Sequence, residues 1–134
     1  MWWDSFASGR AGLRPLLARA EFDGRALDAW LADVMAERAL VRSDVIRASR
    51  LNPTFGYQII AGQRRASRDK LIQLAFGLGL GASDACELLE RGGASALRSF
   101  VRRDFIIAYA LERGLSLPAC DDLLWGQGEQ TIQT

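Results

Sequence analysis

Residues 43–89 read SDVIRASRLNPTFGYQIIAGQRRASRDKLIQLAFGLGLGASDACELL, and this run decides the fold. Ser43 to Arg50 places Val45, Ile46 and Ser49 on one face of a short helix, and Leu51 is the apolar residue of a turn. Asn52-Pro53 then joins a side-chain N-cap to a proline at the first helical position, where the missing N–H has no partner to lose. The helix that starts there runs to about Ala61, and Gly62 supplies a left-handed stop. Gln63 to Ala66 forms a connecting loop. Ser67 caps a further helix whose inward residues are Leu71, Leu74, Ala75 and Leu78.

On the N-terminal side, Leu27, Trp30, Leu31, Val34 and Met35 recur at three-and-four spacing, which predicts a helix from Leu27 to Arg38 with one buried face. Before it, Gly9, Gly12, Pro15 and Gly24 punctuate the chain, and only Arg14 to Ala20 reads as helical. Trp2, Trp3 and Phe6 are too apolar for a free tail and are expected to dock on this domain or on a second copy.

On the C-terminal side, the chain repeats. Arg68-Asp69 returns as Arg103-Asp104, and Ile72, Ala75, Gly79, Leu80, Leu88, Leu89 and Gly93 fall in register on Ile107, Ala110, Gly114, Leu115, Leu123, Leu124 and Gly128. Each unit reads as a longer helix, a Gly-Leu turn, a shorter helix ending in Leu-Leu, and a glycine stop. Stacking two such hairpins would cover the apolar face of each.

A length of 134 residues with 49% hydrophobic side chains supports one compact core, or a small domain with a helical extension. The fold class expected is all-α. No stretch approaches the roughly 20 apolar residues of a membrane span. The Met1-Trp2-Trp3-Asp4 start has no basic segment before an apolar run, so the expectation is a cytoplasmic protein without membrane contact.

There is no histidine, which removes the commonest general base and the commonest neutral metal ligand. Cys86 and Cys120 lack a Cys-x-x-Cys spacing and are expected to be two buried thiols. No Gly-rich phosphate loop follows a strand, and no Ser or Cys has a candidate base. The Arg-Asp pairs suit helix capping or salt bridging better than acid–base work. The expectation is a non-enzyme with no cofactor and no metal.

Net charge is +1, so indiscriminate polyanion binding is disfavoured, yet the basic residues are not spread evenly. Arg42, Arg47, Arg50, Arg64, Arg65, Arg68 and Lys70 are opposed within their block only by Asp44 and Asp69, and the flanking segments are mildly acidic. Such a block suits a localised polyanion face, and equally a solvated helical surface.

With the short helix, apolar turn, glycine-ended helix, basic loop and underlying helix in place, the stretch Leu40 to Leu89 resembles the Xre/Cro-like helix-turn-helix of phage repressors and many bacterial regulators. Val45-Ile46, Leu51, Ile59, Gly62, Arg64-Arg65, Ser67, Leu71 and Leu80 occupy that pattern's positions, while Gly56, Ile60 and Ala66 depart from it. YQIIAGQRRASRDKLIQLAFGLGL, followed by a second Arg-Asp hairpin, is also similar to a bacterial group of helix-turn-helix proteins without a settled role. The resemblance implies a five-helix repressor-like core extended by a C-terminal helical hairpin. Its expected bounds are 1–25 for a partly ordered N-terminal segment, 26–93 for the helix-turn-helix domain, and 94–134 for the hairpin packed on it.

It further implies double-stranded DNA as partner, read in the major groove by the second helix of the pair. Asn52, Thr54, Phe55, Tyr57 and Gln58 would face base edges: Gln58 matches adenine, and Thr54 or Phe55 a thymine methyl. Arg42, Ser43, Arg64, Arg65 and Arg68 would lie against phosphates. A homodimer is expected because one unit reads only a half-site. The alternative is a protein-interaction module that kept the scaffold without DNA contact, with Phe55 and Tyr57 around Gly56 as an aromatic knob for a protein partner.

Overall fold

The computed structural model describes residues 1–133; Thr134, the last position of the expected C-terminal unit, lies outside them. The described chain is all-helical: α1 (Leu13–Arg19), α2 (Leu27–Glu37), α3 (Arg42–Ser49), α4 (Pro53–Ile60), α5 (Arg68–Leu78), α6 (Ala82–Arg91), α7 (Arg102–Glu112) and α8 (Leu117–Gly126). No helix among the described residues is long and apolar enough to cross a membrane.

Helix α5 is the hub. Leu71, Ile72, Leu74, Ala75, Phe76 and Leu78 are all buried, so α5 has apolar side chains on nearly every side and needs a neighbour on each. Helix α3 packs most extensively against it, α6 lies alongside it, and α8 reaches it from the C-terminal part. Gly77 is what lets α3 come so near: a Cβ there would lie 2.4 Å from the Val45 carbonyl oxygen and 2.8 Å from the Ser49 Cβ. Buried Gln73 crosses the same contact and donates from Nε2 to the Ser49 carbonyl at 3.1 Å.

Helix α4 leans on α2 and α3 through buried Ile59 and Ile60. Gly56, buried on α4, faces Ile46 of α3, and a Cβ there would come within 3.2 Å of the Ile46 side chain. The small residue at this departure from the repressor pattern thus sits at a close helix crossing.

The two Arg-Asp units are related in space as well as in sequence. Gly79 and Gly114 both end a helix in the left-handed region, at φ +68° and +67°. After them, the Leu80 and Leu115 amides donate back to the Ala75 and Ala110 carbonyls. Helix α6 packs on α7, and α8 packs on α5, so each helical pair covers the other.

The N-terminal aromatic residues do not dock on the rest of the chain, contrary to one of the two expectations. Trp2 packs edge-on against Trp3 and Phe6, and all three remain exposed. Helix α1 has no buried residue: Leu13 and Leu17 stay exposed and share only an open cavity with Trp2 and Phe6. The chain is tied down from Asp23 onward, where Arg91 of α6 bonds the Asp23 carboxylate and the Arg25 carbonyl.

Candidate nucleic-acid interface

The α3–α4 connection is three residues long, Arg50 to Asn52. Arg50 takes the left-handed conformation, φ +59°, and Leu51 turns inward to a buried position. Asn52 then accepts the Phe55 amide proton on Oδ1 at 3.2 Å, satisfying one of the free donors of the α4 N-terminus. At the other end, the Gln63 amide donates to the Gln58 carbonyl around Gly62, whose φ is +75°.

These local rules fix which residues of α4 face out. Gly56, Ile59 and Ile60 are spent on the core. Asn52, Thr54 and Tyr57 are exposed, and Phe55 and Gln58 are half-buried. The outward edge therefore carries amide, hydroxyl and aromatic groups, with no charged side chain of its own. Phe55 and Tyr57 do not form a joint knob: Phe55 lies beneath the Arg64 guanidinium, 5.1 Å from ring centre to Cζ, while Tyr57 is open.

Arg64 is thus brought beside α4, and exposed Arg65 follows it in the same loop, close to Gly93. Arg42 and Ser43 are exposed in the first turn of α3 and share no hydrogen bond with the α4 residues. Among the described residues, Arg42, Arg64 and Arg65 have no carboxylate partner. Asp44 is turned to Arg47, at 3.1 Å. Asp28, which the sequence did not single out, lies against Gly62 and puts a negative group near the basic loop.

Arg68 is a correction. It was expected at phosphate, but its guanidinium is committed inside the chain. It donates twice to the Asp104 carboxylate, at 2.9 and 2.8 Å, and to the Ser95 and Ala96 carbonyls. A half-buried arginine with a buried carboxylate opposite has no reason to turn outward, since leaving would strand the carboxylate. Burial would raise the Asp104 carboxyl, but the Arg68 side chain and the Arg98 amide outweigh it and hold it below the ordinary carboxylate range.

Of the two cysteines, Cys120 is buried as expected, whereas Cys86 is only half-buried. Burial, with a smaller effect from Asp121, pushes the Cys120 thiol up to about 12. Among the described residues, no group of three or more His, Cys, Asp or Glu side chains converges as a metal site would. No protein-family model matches the chain, and no curated protein or solved structure matches it either.

Proposed function

We propose that the chain is a sequence-specific DNA-binding regulator with a five-helix repressor-like core, α2 to α6, extended by the α7–α8 hairpin. The observation that carries this reading is the uncovered polar edge of α4, with unpaired Arg64 and Arg65 in the loop that follows it. In this reading α4 enters the major groove, with Asn52, Thr54, Tyr57 and Gln58 towards base edges. Arg64, Arg65, Arg42 and Ser43 hold the backbone. A groove tolerates the near-neutral total charge because only the local field at the contact matters. No catalytic role is assigned to any residue.

Selection of bound sequences from a random duplex pool tests the proposal, and an enriched inverted repeat is the expected result. Absence of duplex binding even at low salt would remove it. The exposed aromatic residues of the C-terminal part, Phe105 and Tyr109, favour a second reading, in which the scaffold binds protein rather than DNA.

A further inference from the structure

The α5–α6 and α7–α8 pairs are quasi-equivalent, so what covers a face of one tells what the same face of the other is built to receive. Shifted by the 35-residue repeat, Leu74 and Gly77 of α5 correspond to Tyr109 and Glu112 of α7. On α5 those positions lie under α3: Leu74 is fully buried, and Gly77 touches Val45 and Ser49. On α7 the same positions stay exposed to solvent, with Glu112 accepting the Ala82 amide proton and the Arg113 guanidinium lying over the Tyr109 ring. Phe105 is 63% exposed and Tyr109 49%.

The bare stripe runs Arg102, Phe105, Tyr109, Glu112, the alternating three-and-four spacing with which one helix meets another. Its order is self-complementary. Phe105 and Tyr109 are equidistant from Ile107, and so are Arg102 and Glu112. A two-fold axis passing α7 at Ile107 therefore sets Phe105 against Tyr109 of a second copy and, in the same register, Arg102 against Glu112. Both charged groups can still serve. The Arg102 side chain is 62% exposed beyond its bonds to Gln127 and a 3.4 Å ion pair with Glu129, which the second copy's Glu112 would join. Only Oε1 of Glu112 is used, by the Ala82 amide. Phe105, Tyr109 and Glu112 also form one wall of a shallow cavity of about 450 Å³ between α6 and α7, with Ala82, Cys86 and Leu97 opposite, so a second copy seated on the stripe would close it.

We propose that the chain forms a symmetric dimer through antiparallel pairing of α7 with α7 of a second copy. The apolar pair Phe105–Tyr109 fills the centre, and Arg102–Glu112 pairs close both ends. One helical stripe is smaller than a standard stable interface, so the dimer is concentration-dependent. This inference does not need the DNA reading, because it is measured on the protein alone.

Sedimentation equilibrium of the full chain, without nucleic acid, tests it. The expected result is a monomer–dimer equilibrium whose dissociation constant rises about tenfold or more in Phe105→Lys, as for loss of a central aromatic anchor. Lysine is compatible with the hairpin there, since Lys70 holds the equivalent position. Arg102→Glu and Glu112→Arg should each weaken the dimer, and the double variant R102E/E112R should recover it; thermal melts confirm that each variant is folded. Alkylation of Cys86 should slow as wild-type concentration rises but stay constant in Phe105→Lys. A chain that stays monomeric at its highest attainable concentration overturns the proposal, as does a dimer indifferent to Phe105→Lys. A dimer broken by W2S/W3S/F6S and not by Phe105→Lys assigns the contact to the N-terminal aromatic cluster and overturns it too. Failure of the charge swap to recover association removes the antiparallel register.

Discussion

Arg68 and Asp104 are joined by two parallel hydrogen bonds across the boundary between the two repeat units, and Arg103 and Asp69 are joined the same way in the opposite sense. Each arginine also reaches the tail of its own unit: Arg68 bonds the Ser95 and Ala96 carbonyls, and Arg103 bonds those of Gln130 and Thr131, one repeat further on. Contacts exchanged reciprocally in this way are the mark of a two-fold interface, here made within one chain. The Arg-Asp dipeptide holds the two hairpins in register, which gives both arginines a structural task.

The two ion pairs are unequal, and stability should show it. The Asp104 side chain is 4% exposed and also accepts the Arg98 amide, whereas that of Asp69 is 32% exposed. Removing a partner from a buried, hydrogen-bonded ion pair costs about 3 kcal/mol, and less where water can take its place. Asp104→Asn should therefore lower the urea midpoint clearly more than Asp69→Asn. Equal losses would contradict the argument that the deeper burial of Asp104 makes its pair the more costly one to break.

The same carboxylate sets an acid limit. Asp104 is held below its ordinary 3.8 in the folded chain, so its contribution is fully present above that pH and is lost as pH falls towards the lowered folded value. Wild-type stability should drop more steeply below about pH 4 than that of Asp104→Asn. Parallel curves of unfolding free energy against pH in that window would show that Asp104 is not the group responsible.

Under the proposed DNA-binding reading, the diversion of Arg68 yields a contrast among the arginines. Arg64→Ala and Arg65→Ala should each weaken duplex binding and reduce the slope of log affinity against log salt by about 0.9, the value for one phosphate contact. Arg68→Ala should leave the slope unchanged and lower the melting temperature instead. Gln58→Ala should relax the base preference and leave the slope alone. Fluorescence anisotropy across a salt series separates the cases, and a reduced slope in Arg68→Ala would return that side chain to the phosphates.

Much of the architecture was legible because it follows from local rules. Apolar spacing marked α2 and α5, Asn52-Pro53 marked the start of α4, and the left-handed glycines 62, 79, 93, 114 and 128 stand where the sequence places its stops. What stayed hidden depends on long-range contact. Arg68 and Arg64 look alike in a basic run, and only the position of Asp104, 36 residues later, separates a clamp from an exposed cation. Arg50 adopts a left-handed conformation that arginine does not prefer, so nothing local announces it. Likewise, the aromatic content of Trp2, Trp3 and Phe6 predicts burial, but it cannot create the missing surface for them.

Gly56 and Gly77 make the last contrast, because the residue type is the same and the surroundings are not. Alanine in either helix gains about 1 kcal/mol of intrinsic helix propensity over glycine. At position 77 the added methyl would meet the Val45 carbonyl at 2.4 Å, a backbone atom that can retreat only if α3 and α5 separate. Overpacking of that kind costs about 1–3 kcal/mol, and more where two helices must part. At position 56 the methyl would meet the Ile46 side chain at 3.2 Å, which a small rotation can relieve. Gly77→Ala is therefore expected to destabilise by about 2 kcal/mol net, while Gly56→Ala stays within about 1 kcal/mol of wild type or gains slightly. Urea denaturation of the two variants decides this. A larger loss for Gly56→Ala would mean that the tight crossing lies between α3 and α4 and not between α3 and α5, and the placement of α4's outward edge would have to be redrawn.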